Sequence, residues 1–140
     1  MAELVSTRGT GREPITYDDA LLQGQAPDGG LYVPVGAQYP RFELDELRRL
    51  NGLSYADLAT KVKGRLIAGT DMPYVDRRAM DRVAYDPAAW PSTTGGDITP
   101  MTQIDDNLYV KNLSLGPTAA FKDFGLRSLA QEVAYMLEQQ

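Results

Sequence analysis

The chain has 140 residues, 43% of them hydrophobic and 24% charged, with 14 Lys+Arg against 19 Asp+Glu and a formal net charge of -5. That balance suits one globular domain, or a small domain and the start of another, and offers no basic block for nucleic acid or an anionic membrane. There is no cysteine and no histidine; this excludes disulfides, thiolate catalysis and the commonest general base and metal ligand, and leaves Lys, Asp, Glu, Tyr, Ser and Thr for any chemistry.

No stretch approaches the roughly 18 continuous apolar residues that span a membrane. The first residues carry Glu3 and no apolar core, so a secretory leader is not expected, and a cytoplasmic location fits the missing cysteines. Leu4 to Thr7 reads as a short strand, ended by Arg8 to Gly11. Thr16 with Asp19 three residues on predicts a helix start, and Gly24 its end. Pro27 to Gly30 is a turn. Leu31 to Val35 reads as a strand, and Pro34 places it at an edge or an end. The N-terminal strands are expected to pair.

A second helix is predicted from Glu43, with Leu44, Leu47 and Leu50 at helical spacing, stopped by Asn51-Gly52. Ser54 with Asp57 opens a third, on which Tyr55, Leu58, Ala59, Val62 and Leu66 share a face, closed by Gly69. Pro73 opens a fourth, with Val75, Ala79 and Val83 expected inward. Residues 86–107 hold Pro87, Pro91, Gly95, Gly96 and Pro100 with little periodicity, and read as a linker. Leu108 to Leu113 is a strand, and Ser114 to Thr118 a turn. The last helix is predicted from Asp123 to the chain end, with an apolar stripe at Leu126, Leu129, Ala130, Val133, Ala134 and Leu137.

Lys122 lies one turn before Leu126 and is expected at the inward end of that stripe. Burial and the positive end of the helix dipole both favour a neutral amine, as attack on an aldehyde requires. On spacing alone, a lysine snorkelling to water from a frayed first turn is the simpler account. The strand–turn–helix setting favours a ligand site, since strand C-termini and helix N-termini converge there in open α/β sheets. The Thr118 hydroxyl and nearby amides are candidate anion donors. The pairs Asp18-Asp19 and Asp105-Asp106 read as caps and solvated turns. Dinucleotide, Walker and metal-ligand patterns are missing.

The run from Leu115 to Gly125, L-G-P-T-A-A-F-K-D-F-G, resembles the lysine motif of the threonine synthase family, usually H-G-P-T-x-A-F-K-D. Ser6 to Gly9, Ala20 to Gly24, Ala26 to Pro34, Leu53 to Ala59 and the Pro73 helix ending at Ala84-Tyr85 are similar to that family's N-terminal domain, in order. The resemblance implies an α/β fold: a small mixed α/β N-terminal domain over 1–85, a linker over 86–107, and over 108–140 the first strand–turn–helix of a fold-type II pyridoxal-phosphate domain. It implies conversion of O-phospho-L-homoserine and water to L-threonine and phosphate, with pyridoxal phosphate carried by Lys122. Thr118 and Asp123 match positions flanking that lysine and are carried over as candidate cofactor neighbours; no metal is implied. Leu115 stands where most members have His. Family members are several times longer, so the chain is expected to be an N-terminal piece, inactive alone. The alternatives are a non-catalytic module that self-associates through its C-terminal helix or binds a partner chain, and, ranked last, a dehydratase or sulfhydrylase relative.

Overall fold

A computed structural model describes residues 3–9, 13–35, 41–67, 70–90 and 97–139. Ten short elements follow in chain order. Strand β1 (Leu4–Ser6), helix α1 (Tyr17–Gln23) and strand β2 (Tyr32–Pro34) come first. Helices α2 (Leu44–Leu50), α3 (Tyr55–Leu66) and α4 (Tyr74–Ala84) follow, then a 3-10 turn (Pro87–Ala89). Strands β3 (Met101–Asp105) and β4 (Leu108–Lys111) precede helix α5 (Lys122–Glu138).

The expected N-terminal pairing is present. β1 and β2 run antiparallel with Leu4 opposite Pro34 and Ser6 opposite Tyr32. Pro34 ends its strand, where its missing N–H costs no ladder bond. The Pro27–Gly30 turn is clamped onto this ribbon by Asp28, which accepts from the Ser6 hydroxyl at 2.6 Å and the Gly30 amide at 2.9 Å. Gly30 is required there, because a Cβ would lie 2.0 Å from the Ser6 hydroxyl. Helix starts follow their signals: Thr16 accepts from the Asp19 amide and Ser54 from the Asp57 amide. Gly24, at φ 74, terminates α1. The expected stop at Gly69 lies outside the described residues.

The apolar positions marked by spacing are only partly the buried ones, Tyr55 and Ala59 of α3 packing on the core. On α2, Leu44 and Leu47 are exposed. On α3, the buried positions are Ala56 and Thr60, while Leu66 is exposed. On α4, Val75 is 69% exposed, Val83 56% exposed and Ala79 also exposed, whereas Met80, Asp81 and Ala84 are buried. The reason is a partner that hydropathy cannot see. Asp81 is fully buried because Lys63 of α3 meets it at 2.6 Å and Thr60 donates to it at 2.8 Å. Once that pair is inside, Val75 and Val83 are turned out.

The segment read as linker contributes to the core. Trp90 and Ile98 are each 1% exposed and pack with Ala56, Ala84 and Tyr85. Tyr55, Tyr85, Trp90 and Phe124 form a chain of ring contacts at 4.5–6.4 Å. Such contacts add to burial energy when edge-to-face or offset. The Trp90 indole donates to the Ala84 carbonyl at 3.2 Å, as a buried indole requires. The same stretch also contains β3, paired antiparallel with β4 in a hairpin with a register shift between Gln103 and Asp105. All residues of both strands are exposed.

Helix α5 packs against α4 and touches α1. It does so with a mixed face, on which Phe124, Tyr135 and Met136 pack against the core beside polar groups. Asp123, Ser128 and Glu132 are its buried residues, while Leu126 (56%), Leu129 (42%) and Leu137 face outward. The apolar stripe is therefore the outer face, not the inner one. Among the described residues no helix is long and apolar enough to cross a membrane.

Candidate active site

The junction between β4 and α5 is built from a turn and a lysine. Ala119 donates to the Gly116 carbonyl at 3.0 Å, and Asp123 to the Ala120 carbonyl at 3.1 Å, so the chain tightens through a turn before α5 starts. Lys122 is the first residue of the helix, one position earlier than periodicity placed the start. It is exposed, as is Leu126 one turn later. The two share a face as spacing requires, but that face looks to solvent. The expected burial of Lys122 is thus corrected: α5 turns its polar groups inward because the α3–α4 seam offers Lys63 and Asp81, which only polar groups can satisfy. Among the described residues, no ion pair or hydrogen bond engages the Lys122 amine.

Beside the turn opens a cavity of about 590 Å³, lined by Thr102 of β3, Val110 and Lys111 of β4, Asn112, Ser114 and the turn residues 119–121. Phe121 adjoins Lys122 in sequence and is 67% exposed. The lining carries one cation, hydroxyls and an amide, and no carboxylate. An anionic, partly aromatic ligand would meet no like charge there, and Lys122 follows the lining residue Phe121 in sequence. These residues fit a phosphorylated aldehyde.

Thr118 and Asp123 are brought together, but with each other. The Thr118 amide donates to Asp123 Oδ2 at 2.9 Å and its hydroxyl to Oδ1 at 2.6 Å. The donors expected to receive an anion already hold one, supplied by the chain itself. These two bonds, the side-chain one foremost, keep the Asp123 carboxyl below its ordinary range. Gly116 lies directly on that carboxylate: a Cβ would sit 2.2 Å from Oδ2.

Behind α5 lies a buried polar network that periodicity does not reveal. Lys63 pairs with both Asp81 and Glu132, and Ser128 stands between the two acids. The Tyr17 hydroxyl donates to Glu132 at 2.6 Å, tying α1 to the same centre. Burial, reinforced by Glu132, pushes the Tyr17 phenol far above its ordinary value. Farther along, Tyr135 donates to Asp76 at 3.0 Å, Arg127 to the Ala84 carbonyl at 2.9 Å, and Tyr85 to the Phe124 carbonyl at 2.8 Å. Periodicity gives no signal for this network: at helical spacing Asp81 neighbours Arg77, Arg78, Ala84 and Tyr85, and Glu132 neighbours Ser128, Leu129, Tyr135 and Met136. Asp18 is likewise more than a cap, since it accepts from the Thr70 hydroxyl and the Asp71 amide. Among the described residues no cluster of acids has the makings of a metal site.

Comparison with known proteins gives a consistent set of relatives. The family model for the threonine synthase N terminus matches residues 3–85. A threonine synthase of Methylobacillus glycogenes is 41% identical over 96% of this chain and 28% of its own length. One of Corynebacterium glutamicum is 39% identical over 96% of this chain and 27% of its own. Among solved structures, the PLP-bound threonine synthase of Brucella melitensis superposes with a TM-score of 0.83 at 37% identity, over 99% of this chain and 28% of that one. The yeast threonine synthase does so with a TM-score of 0.83 at 29% identity, over 99% and 27%. The chain therefore spans little more than a quarter of the length of the relatives it matches.

Proposed function

Because the chain belongs to the threonine synthase family through its N-terminal region, we propose that it forms the part of such an enzyme that presents the cofactor lysine, and that this lysine is Lys122. The observation that carries the assignment is an exposed, unengaged amine at the start of α5, next in sequence to Phe121 of a cavity whose lining holds a cation and no carboxylate. In this reading the complete protein is a lyase that converts O-phospho-L-homoserine and water to L-threonine and phosphate. Bound pyridoxal phosphate supplies an electron sink for charge developing on substrate carbon. Lys122 holds it by its amine and moves protons at the adjacent substrate carbons. Lys111 and the polar lining supply positive and hydrogen-bonding contacts for an anionic group.

The division into 1–85, 86–107 and 108–140 belongs to the same proposal, supported by a family match that ends at residue 85. So does a cytoplasmic location. The 140-residue chain alone is expected to release no phosphate from O-phosphohomoserine with added cofactor. With little more than a quarter of its relatives' length, it lacks most of the shell that would hold the reacting atoms.

Borohydride reduction with pyridoxal phosphate tests the assignment in the full gene product. The pyridoxyl group should be fixed on Lys122 ahead of Lys61, Lys63 and Lys111, and Lys122→Ala should abolish both labelling and phosphate release. Turnover that survives Lys122→Ala would refute the assignment.

A further inference from the structure

We infer that Thr118 and Asp123 form a clasp that fixes the backbone leading into Lys122, so that Asp123 is a positioning residue for that lysine and not a group that touches cofactor. The inference rests on Lys122 being the cofactor lysine, as proposed above, but its evidence is separate.

Both donors of Thr118, amide and hydroxyl, are aimed at the two oxygens of one carboxylate five residues on. That closes a small loop containing residues 119–122, and with it Lys122. Bidentate, charge-assisted bonding of this kind is directional as well as strong. A single contact would leave the loop free to twist; two contacts on one rigid carboxylate do not.

The loop is closed from the other side as well. Gly116 packs so tightly on Asp123 that a Cβ would lie within 2.8 Å of its Oδ2, Cβ and Cγ. Between these contacts Ala119 has φ 55, a left-handed conformation that L residues with a Cβ adopt at a cost. Such a conformation persists where surrounding contacts over-determine it, and the clasp provides those contacts.

Burial separates the neighbours. Asp123 is 7% exposed while Lys122 is exposed, so consecutive residues of α5 point to opposite environments. Asp123 turns into the protein, and Lys122 is held out to solvent. The carboxylate also lies in the first turn of α5, where the helix dipole favours a negative charge. A ligand phosphate seeking the Thr118 donors would have to displace this resident anion.

Two measurements test the clasp. The first is amide hydrogen exchange on the 140-residue chain. Thr118→Val and Asp123→Asn should each speed exchange at residue 118 and in the first turn of α5 by roughly tenfold, while distant α3 amides stay unchanged. Thr118→Ser, which keeps the hydroxyl, should return exchange to within about twofold of wild type. The Thr118→Val, Asp123→Asn double variant should exchange no faster than Asp123→Asn, because both act through one element. Should Asp123→Asn fail to fold, Thr118→Val at an exposed position decides alone.

The second measurement is on the full gene product. At saturating cofactor the same variants should lower kcat roughly tenfold, as expected for a misplaced reacting group. The dissociation constant for pyridoxal phosphate should stay within about threefold, since no contact to it is removed. Unchanged exchange in Thr118→Val overturns the clasp. So does a tenfold rise in that dissociation constant with kcat retained, which would place Thr118 or Asp123 on the cofactor. If the wild-type gene product itself releases no phosphate, the functional reading fails while the exchange result still decides the clasp.

Discussion

Helix α5 has two sides that exchange the roles usually given to them. Its inner side carries the polar groups: Asp123, Ser128 and Glu132 are buried among Phe124, Tyr135 and Met136, which pack on the core, and Glu132 joins Lys63, Asp81 and Tyr17 in one network. Its outer side is apolar, with Leu126, Leu129 and Leu137 exposed, as are the hairpin residues Met101, Ile104, Leu108, Tyr109 and Val110. The inner seam tethers three helices through charges that have few alternative partners, and it is therefore specific. The outer face offers apolar area with no geometry of its own, and such faces are where further protein surface packs. A stripe in a sequence reports that something will cover a face; it does not report whether the cover lies within the same chain segment.

The sharpest way to break this comparison is to remove the charge that the inner seam shares. Lys63→Met would leave Asp81 and Glu132 facing each other with no cation. Breaking a buried pair in this way costs about 3 kcal/mol, the lower end of the usual range because the Lys63 side chain is 20% exposed. Denaturant unfolding should show a lower midpoint at constant slope. Adding Asp81→Asn and Glu132→Gln to Lys63→Met should recover a large part of the loss, since the repulsion goes with the charges. A Lys63→Met variant as stable as wild type would mean that the network does not hold α5.

The outer face should respond in the opposite way. Leu126→Asp with Leu129→Asp alters two exposed positions, so folding stability should change by less than about 1 kcal/mol. Association is where the effect belongs. If the 140-residue chain pairs with a second copy through this face, as its apolar stripe leads us to expect, sedimentation velocity should show a concentration-dependent larger species that the double variant lacks. A wild-type chain that stays monomeric across the accessible concentration range removes self-association from consideration.

The smallest effects probe the inner side alone, by pH. The Asp123 carboxyl is held low in the fold, by Thr118 first and with Arg127 contributing. Its contribution to stability is complete above the ordinary carboxylate range, and is lost as pH falls through that range towards the lowered value. Asp123→Asn should flatten that acid limb in a pH series of unfolding midpoints. Tyr17 works at the other end. Its phenol is raised by burial and by Glu132, so its contribution is complete below the ordinary phenol value near 10 and is lost as pH rises beyond it. Tyr17→Phe should remove that alkaline loss, although it also forfeits the bond to Glu132. Acid and alkaline limbs that do not move in these two variants would show that other groups govern both.

Much of the local structure was legible because its causes are local. Thr16 and Ser54 cap the helices their spacing announced. Gly24 ends one where a positive φ is needed, and Pro34 closes a strand where a missing donor does no harm. The pairing of β1 with β2 followed from strand and turn signals, and the α/β class from the family resemblance. The position of Lys122 at the start of the last helix was legible too, to within one residue.

What the sequence determined by itself was thus most of the elements, though not β3 or the 3-10 turn within the segment read as linker, and the position of the lysine that heads α5, since caps, turn residues and periodicity act over a few neighbours. The tertiary structure decided which faces turn inward. Val83 and Leu129 are more apolar than Asp81 and Glu132, yet the acids are inside, because Lys63, Thr60 and Tyr17 arrive from 18 to 115 residues away to neutralise and bond them. It also decided that Trp90 and Ile98, within a Pro- and Gly-rich stretch, complete the core. And it closed Thr118 onto Asp123, a contact whose meaning depends on how tightly Gly116 lets the turn approach. Burial of a charge is a property of the pair, and a pair exists only once the chain has folded.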